Sequence, residues 1–328
     1  MHPYSLYRFQ FFLLPFLCFH WANAKELAKE GADLGIVRVQ VPGFGADGRL
    51  SWELKASEVR PVENGLYKAR NPLLKTYGKQ GIRTDAKSSS GVFDLRTGYA
   101  FGREALFVTG QGFSAKGKNW KWWQKSANGN HRMVFEKGGG LSFDMELGKS
   151  LLLNDLVESK GCPEEPIKKG KKMPTVARAD YIELLAVNEK SHRFLLEGNV
   201  SVVGNELRLS CEKMEVKFDK DSNSSSDDLG EISLITALGN IEFAQKGRIS
   251  YCNTLKMDVS KGEVLLQGSE DKPARVIDEE WGKASGLRII LEKGKRRARV
   301  LGGEGGEKPS LELPALPDLG FELEGKTP

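Results

Sequence analysis

Residues 194–219 read FLLEGNVSVVGNELRLSCEKMEVKFD, and residues 234–259 read LITALGNIEFAQKGRISYCNTLKMDV. Set 41 positions apart (198 to 239), they match: Gly198 with Gly239, Asn199 with Asn240, Val200 with Ile241, Val202 with Phe243. The match runs on through Cys211 with Cys252, Met214 with Leu255, Val216 with Met257 and Phe218 with Val259. Apolar residues two apart predict strands buried on one face. In the first copy Leu207, Leu209 and Cys211 hold one phase, while Met214, Val216 and Phe218 hold the other. A one-residue slip turns a strand's faces over, so a bulge or a corner between sheets is expected at Glu212-Lys213. The second copy slips at the matching place, from Cys252 to Leu255, Met257 and Val259. A shared irregularity marks a true repeat, and units of this kind bury their apolar faces against their neighbours.

The rest of the chain has the same texture. Trp52, Leu54 and Ala56 of ADGRLSWELKASEVRP alternate, and turn residues recur every ten or so positions through LLKTYG, GIRTDAKSSSGVFDLRTGYAFG, ALFVTGQGFSAKGKNWKWW and RMVFEKGGGLSFDMEL. That spacing predicts an all-β sandwich, barrel or solenoid. Residues 146–175 break it: KGCPEEPIKKGKKMP carries three prolines among lysines and reads as a linker. The expected organisation is 1–24 signal peptide, 25–45 lead-in with a short strand in GIVRVQVPGF, 46–145 first β module, 146–175 linker, 176–303 second β module and 304–328 flexible Gly/Pro-rich tail. In the second module apolar runs end in glycine at 198, 239, 268 and 302, and DKDSNSSSDDLG (219–230) is a polar loop.

The first residues point to export. MHPYSLYR carries Arg8, FQFFLLPFLCFHW is apolar over about 13 residues, and Ala22-Asn23-Ala24 is a small-x-small cleavage site. A spanning helix wants about 20 apolar residues, so cleavage after Ala24 is expected, with an uncleaved anchor the alternative. The periplasm is the expected location. Lys and Arg total 49 against 44 Asp and Glu, too balanced for a nucleic-acid footprint, and no nucleic-acid partner is expected. Cys162, Cys211 and Cys252 survive cleavage. Stacked repeats could place Cys211 and Cys252 close enough for a disulfide, which export permits; the other reading is two small buried apolar side chains.

Catalytic chemistry is hard to find. His131 and His192 lie at no metal-ligand spacing, so no metal site and no cofactor are expected. GKS at 148–150 lacks the upstream glycine of a phosphate loop, and no residue stands out as a hydrolase nucleophile, so no enzyme activity is expected. Trp120 and Trp122 in NWKWWQK share one phase among lysines; a base-stacking platform competes with strand packing or lipid contact. KKGKK (168–172) and KGKRRARV (293–300) read either as solvated charge or as contacts to an anionic surface.

The second module resembles the OstA-like family, the LptA-type periplasmic lipopolysaccharide-transport proteins. The carrying residues are LEGNVSVVGNELRLSCEKMEV, ALGNIEFAQKGRISYCNTLKMDVSKGEVLLQG and ASGLRIILEKGKRRARVLGG. Cys211 and Cys252 stand where that family commonly has a small residue. The first module is similar to the related LptC-type domain through ADGRLSWELKASEVRP, TDAKSSSGVFDLRTGYAFGREALFVTGQGFSAKGKNWKWW and RMVFEKGGGLSFD. The resemblance implies two antiparallel twisted β-jellyroll modules with an apolar groove. It also implies acyl chains of lipopolysaccharide or a similar amphiphile inside, and other β-jellyroll transport proteins joined by edge-strand addition. The groove residues would be Val200, Val202, Leu209, Met214, Val216, Ile241, Phe243, Leu255 and Met257. The implied role is a non-enzymatic carrier or bridge between the inner and outer membranes; the alternative is a structural or surface β-repeat protein that transports no lipid.

Overall fold

The structure is a computed structural model that describes residues 35–45, 47–78, 81–126, 129–143, 174–187, 190–204, 207–220, 229–245, 247–279, 282–292, 297–302 and 308–312. The readings on the signal peptide, Cys162, KKGKK, the tail beyond 312 and most of the linker fall outside these residues. Apart from one 3-10 turn at Glu63–Gly65, the regular elements among the described residues are twenty-two strands. Every pairing between them is antiparallel, in an all-β, jellyroll-like arrangement.

Alternation decides why these segments are strands, and the phase slips decide how they are laid out. Strand β1 (Ile36–Phe44) lies along β2 (Leu50–Pro61). Strand β2 then divides its partners. Residues 52–55 pair with β4 (Leu73–Gly78), and residues 58–61 pair with β3 (Tyr67–Arg70). Every long strand downstream repeats this division. In the first layer β4 leads to β5 (Gly81–Ser88), β8 (Leu106–Gly110) and residues 113–117 of β9 (Phe113–Ser126). In the second layer β3 leads to β6 (Ser90–Asp94), β7 (Tyr99–Gly102) and residues 120–123 of β9.

Strand β10 (Gly129–Phe143) runs along β9 and carries both layers into the second half. Its residues 139–143 pair with β11 (Thr175–Ala179), and 132–135 pair with β12 (Tyr181–Ala186). Next come β13 (Ser191–Gly204), β14 (Leu207–Asp219), β15 (Glu231–Gln245) and β16 (Arg248–Asp258), each long enough to serve both layers. After β16 the layers separate again. One ends through β18 (Ala274–Asp278), β19 (Gly282–Gly286) and β22 (Ser310–Glu312). The other ends through β17 (Glu263–Gln267), β20 (Arg288–Glu292) and β21 (Arg297–Leu301).

The layers meet at a corner, and the slip in alternation sits there. In β14 burial alternates through Cys211 and resumes in the other phase at Met214; in β16 it shifts between Cys252 and Leu255. Strands β13 and β15 absorb the extra residues as bulges at Gly198-Asn199 and Gly239-Asn240. All four have positive φ, from 43° to 80°, a region open to glycine and tolerated by asparagine. Each asparagine then ties the bend to a neighbouring strand: Asn199 Nδ2 donates to Asp180 Oδ2 at 2.7 Å, and Asn240 Nδ2 donates to Glu212 Oε1 at 2.7 Å. The first half turns the same corner at Asn119 and Gly138, with φ of 50° and 55°. The Gly138 and Asp180 amides donate to the Asp180 and Gly198 carbonyls, so the corner is bonded across the join between halves.

Candidate functional site

The inner faces of the two layers share one hydrophobic core. In the second layer one cross-strand row runs Trp120, Phe135, Ile182, Leu196, Met214, Ala237, Leu255, Leu266, Ile289. A parallel row runs Trp122, Met133, Leu184, Phe194, Val216, Ile235, Met257, Val264, Leu291. The first layer supplies Ala115, Leu141, Ala177, Val202, Leu209 and Phe243 opposite them. None of these rows stops at the join between halves. That continuity follows from register: β10 lends its inward residues to both neighbours.

All nine groove residues expected from the sequence (Val200, Val202, Leu209, Met214, Val216, Ile241, Phe243, Leu255 and Met257) are buried in this core. Val200, Val202, Leu209, Ile241 and Phe243 come from the first layer, and Met214, Val216, Leu255 and Met257 from the second. Polar members are few among the described residues: Ser250, opposite Phe243, and Thr175, opposite Phe143, are buried among the apolar side chains.

Where the halves join, the packing is aromatic. Phe194 meets Phe113, Phe143 and Phe218 edge-on at 5.6, 5.4 and 5.2 Å, and Trp52 meets Trp122 edge-on at 6.4 Å across the layers. Beside this cluster lies a cavity of about 90 Å³, bounded by Val108, Phe113, Trp122, Met133, Leu184, Phe194 and Leu229. Thr76, Thr84, Gln111, His131, Arg132 and His192 contribute its polar wall. An apolar cavity of about 150 Å³ takes up a molecule the size of benzene, so this void suits a few carbons of an acyl chain. Longer chains need the side chains or the layers to part.

Four residues that the sequence left ambiguous have definite places. Trp120 and Trp122 are buried core members, so they offer no stacking platform. His131 stacks on Trp122 at 6.1 Å, and both His131 and His192 border the cavity. Among the described residues no group of three or more His, Cys, Asp or Glu could hold a metal.

The cysteine pair is corrected. Cys211 and Cys252 are free and buried, because β15 lies between their strands. Two strand spacings put their Cα atoms about 10 Å apart, beyond the roughly 4.4–6.8 Å that a disulfide spans. Burial pushes both thiols up to about 12, which keeps them protonated and unreactive at neutral pH.

Sequence reasoning missed the outer clasp over the join. Glu183 is buried on the outward face of β12, held by Arg132 at 2.8 Å and Arg193 at 3.3 Å, with the Tyr181 hydroxyl donating at 3.0 Å. Burial raises its carboxyl, but the hydrogen bonds and charges of these partners outweigh it and leave it below the usual carboxylate range. Arg132 also lies over the Trp123 ring at 5.0 Å. A lone acid flanked by apolar residues in YIELLA was the available signal, and its partners come from strands distant in sequence.

No protein-family model matches the sequence, and a search of curated proteins returned no match. Among solved structures, one similar to part of this chain is LptH of Pseudomonas aeruginosa, described as the LptA-homologous periplasmic component of the lipopolysaccharide transport device. It shares 19% identity over 44% of this chain and 96% of its own length, at a TM-score of 0.32. So loose an overlap transfers neither a residue nor a role.

Proposed function

We propose that this chain is a non-enzymatic periplasmic protein that binds the acyl chains of an amphiphile, of the lipopolysaccharide class, between its two layers. In this role it carries or bridges the amphiphile between membranes. The observation that carries the reading is the pair of apolar rows that cross both halves without interruption, with a cavity where the halves join. Such an interior gains about 0.8 kcal/mol for each methylene taken from water, and no single residue is indispensable. Among the described residues β1 and β21 each pair along one edge only, and such edges suit strand addition by similar partners. The resemblance of the sequence to LptA- and LptC-type proteins and its export signal point the same way.

One observation favours the structural β-repeat reading instead: the core is densely packed, and the partly open cavity at the join, about 90 Å³, is too small for a whole lipid tail. Titration of the purified mature chain with lipopolysaccharide and with a fluorescent acyl probe separates the two. Saturable binding of both, each displacing the other, is the expected result. A folded sample that binds neither would sink the lipid reading.

A further inference from the structure

The outward face of the first layer carries a regular row of cations that the interior does not explain. Register places Lys55, Leu73, Lys87, Phe107, Lys116, Gly140 and Arg178 side by side on consecutive strands. A cation therefore occupies every second strand, about 10 Å from the next, along about 30 Å of sheet. Leu73, Phe107 and Gly140 fill the gaps; Phe107 is 44% exposed, with Lys116 Nζ 4.8 Å from its ring centre. Among the described residues no ion pair joins Lys87, Lys116 or Arg178 to a carboxylate, while Lys55 pairs with Glu53 at 3.2 Å. At the corner, Lys118 and Lys137 face each other across β9 and β10, both exposed. Like charges directly opposite destabilise a sheet, so an external anion would relieve them.

The second layer differs in degree. There several outward cations are matched, Lys121 with Glu136, Lys213 with Glu197, Lys217 with Glu215 and Arg299 with Glu292, while exposed Lys68, Lys256 and Arg288 are scattered and form no continuous row. The nearby acids on the basic face are already engaged, Glu53 by Lys55, Asp85 by Lys75 and Asp180 by Asn199; exposed Glu104 is the exception. Past Arg178 the same row turns to Ser201, Ser210, Glu242 and Tyr251, and a cation returns only at Arg275. The regular run of cations thus spans the first half and ends on β11, just past the join.

We infer that this face docks the protein onto a bilayer surface rich in anionic phospholipid. The spacing selects the partner. Cations 10 Å apart cannot converge on one small anion, whereas a field of mobile headgroups meets any regular spacing. Phe107 and Leu73 between the charges add apolar contact at the headgroup boundary. The inference does not depend on lipid entering the interior.

The test is flotation of the mature full-length chain with vesicles of 70% phosphatidylcholine and 30% phosphatidylglycerol, and with pure phosphatidylcholine vesicles. Binding to the anionic vesicles alone, released when NaCl rises from 50 to 500 mM, is expected. Lys87→Gln/Lys116→Gln/Arg178→Gln should bind about a hundred-fold more weakly, about five-fold per charge. Lys217→Gln/Lys256→Gln on the other layer should bind as the unmodified chain does. Melting curves establish that both variants are folded. Equal binding to the two vesicle types, or full binding by the triple variant, would overturn the inference. So would tighter binding to soluble poly-glutamate than to the vesicles, which would assign the face to an acidic protein. Acyl-probe binding measured on the same samples keeps a failure here distinct from a failure of the interior.

Discussion

Residues 36–143 and 175–312 continue the same two layers but fill and charge them differently. The first half sets large aromatic rings against residues with little or no side chain. A Cβ at Gly102 would lie 2.6 Å from Trp120, and one at Gly117 would lie 2.5 Å from Phe135. The second half uses side chains of middling size, Val200, Leu209, Met214, Ile241 and Leu255, and its positive-φ glycines lie at the corner, Gly198 and Gly239, and at strand ends and turns, Gly230, Gly247, Gly262 and Gly282. The same backbone accepts both solutions because what must be conserved across a row is summed volume. Outside, the charge differs by place as well, with the row Lys87, Lys116 and Arg178 unpaired among the described residues on the first layer up to the join, and pairs such as Lys213 with Glu197 and Lys217 with Glu215 on the second layer beyond it. One architecture thus presents two outer surfaces around one shared interior.

The comparison can be broken most forcefully through the core. Trp122→Ala in the first half should cost about 3–5 kcal/mol and Leu255→Ala in the second about 2–5 kcal/mol, since both are buried in continuous rows. In urea unfolding each should lower the midpoint of one shared transition. Two transitions, each moved only by its own variant, would mean that the rows do not couple the halves.

Backbone substitutions probe the corner at the next scale. Gly239→Ala should cost about 1–3 kcal/mol, because φ is +80° and the new Cβ falls 2.5 Å from Glu212 Oε2. Gly198→Ala should behave alike at +74°. Gly140→Ala is the control, with ordinary φ and its nearest neighbour at 3.8 Å, and should be close to neutral. Removing a tie is milder: Asn240→Ala should cost about 0.5–1.5 kcal/mol.

The smallest effect near neutrality is alkaline. The folded thiols titrate at about 12 against an ordinary 9, so the folded chain holds more protons between those values. Stability from the buried thiols is intact below pH 9 and is lost as pH rises towards 12. Melting curves should fall less steeply over that window for Cys211→Ala/Cys252→Ala than for the unmodified chain. At pH 7 a maleimide should label neither thiol until the protein unfolds.

Much of this was legible. Alternation announced strands, and the repeated slip announced a corner, because inward residues must change parity where a strand passes from one layer to the other. The same signal stood unread in the first half, where Trp52, Leu54 and Ala56 give way to Val59, and Phe113 and Ala115 to Trp120. It was masked because those corners use Ser57-Glu58, Asn119 and Gly138 in place of a recurring Gly-Asn. Inward residues such as Met214 and Ile241 followed from parity alone. The cysteine distance did not, since β15 intervenes between equivalent strands. The basic row was invisible for the same reason: Lys87, Lys116 and Arg178 become neighbours only through pairings set by register. The Glu183 clasp likewise needs β10, β12 and β13 together.

The most direct test of the central claim places a photo-crosslinking amino acid at Met133 or Leu184, which border the cavity, and at outward-facing Thr236. After incubation of the mature chain with lipopolysaccharide and irradiation, adducts at Met133 and Leu184 with none at Thr236 are predicted. No adduct at the inner positions of the folded protein, or equal adducts at all three, would contradict an amphiphile-binding interior.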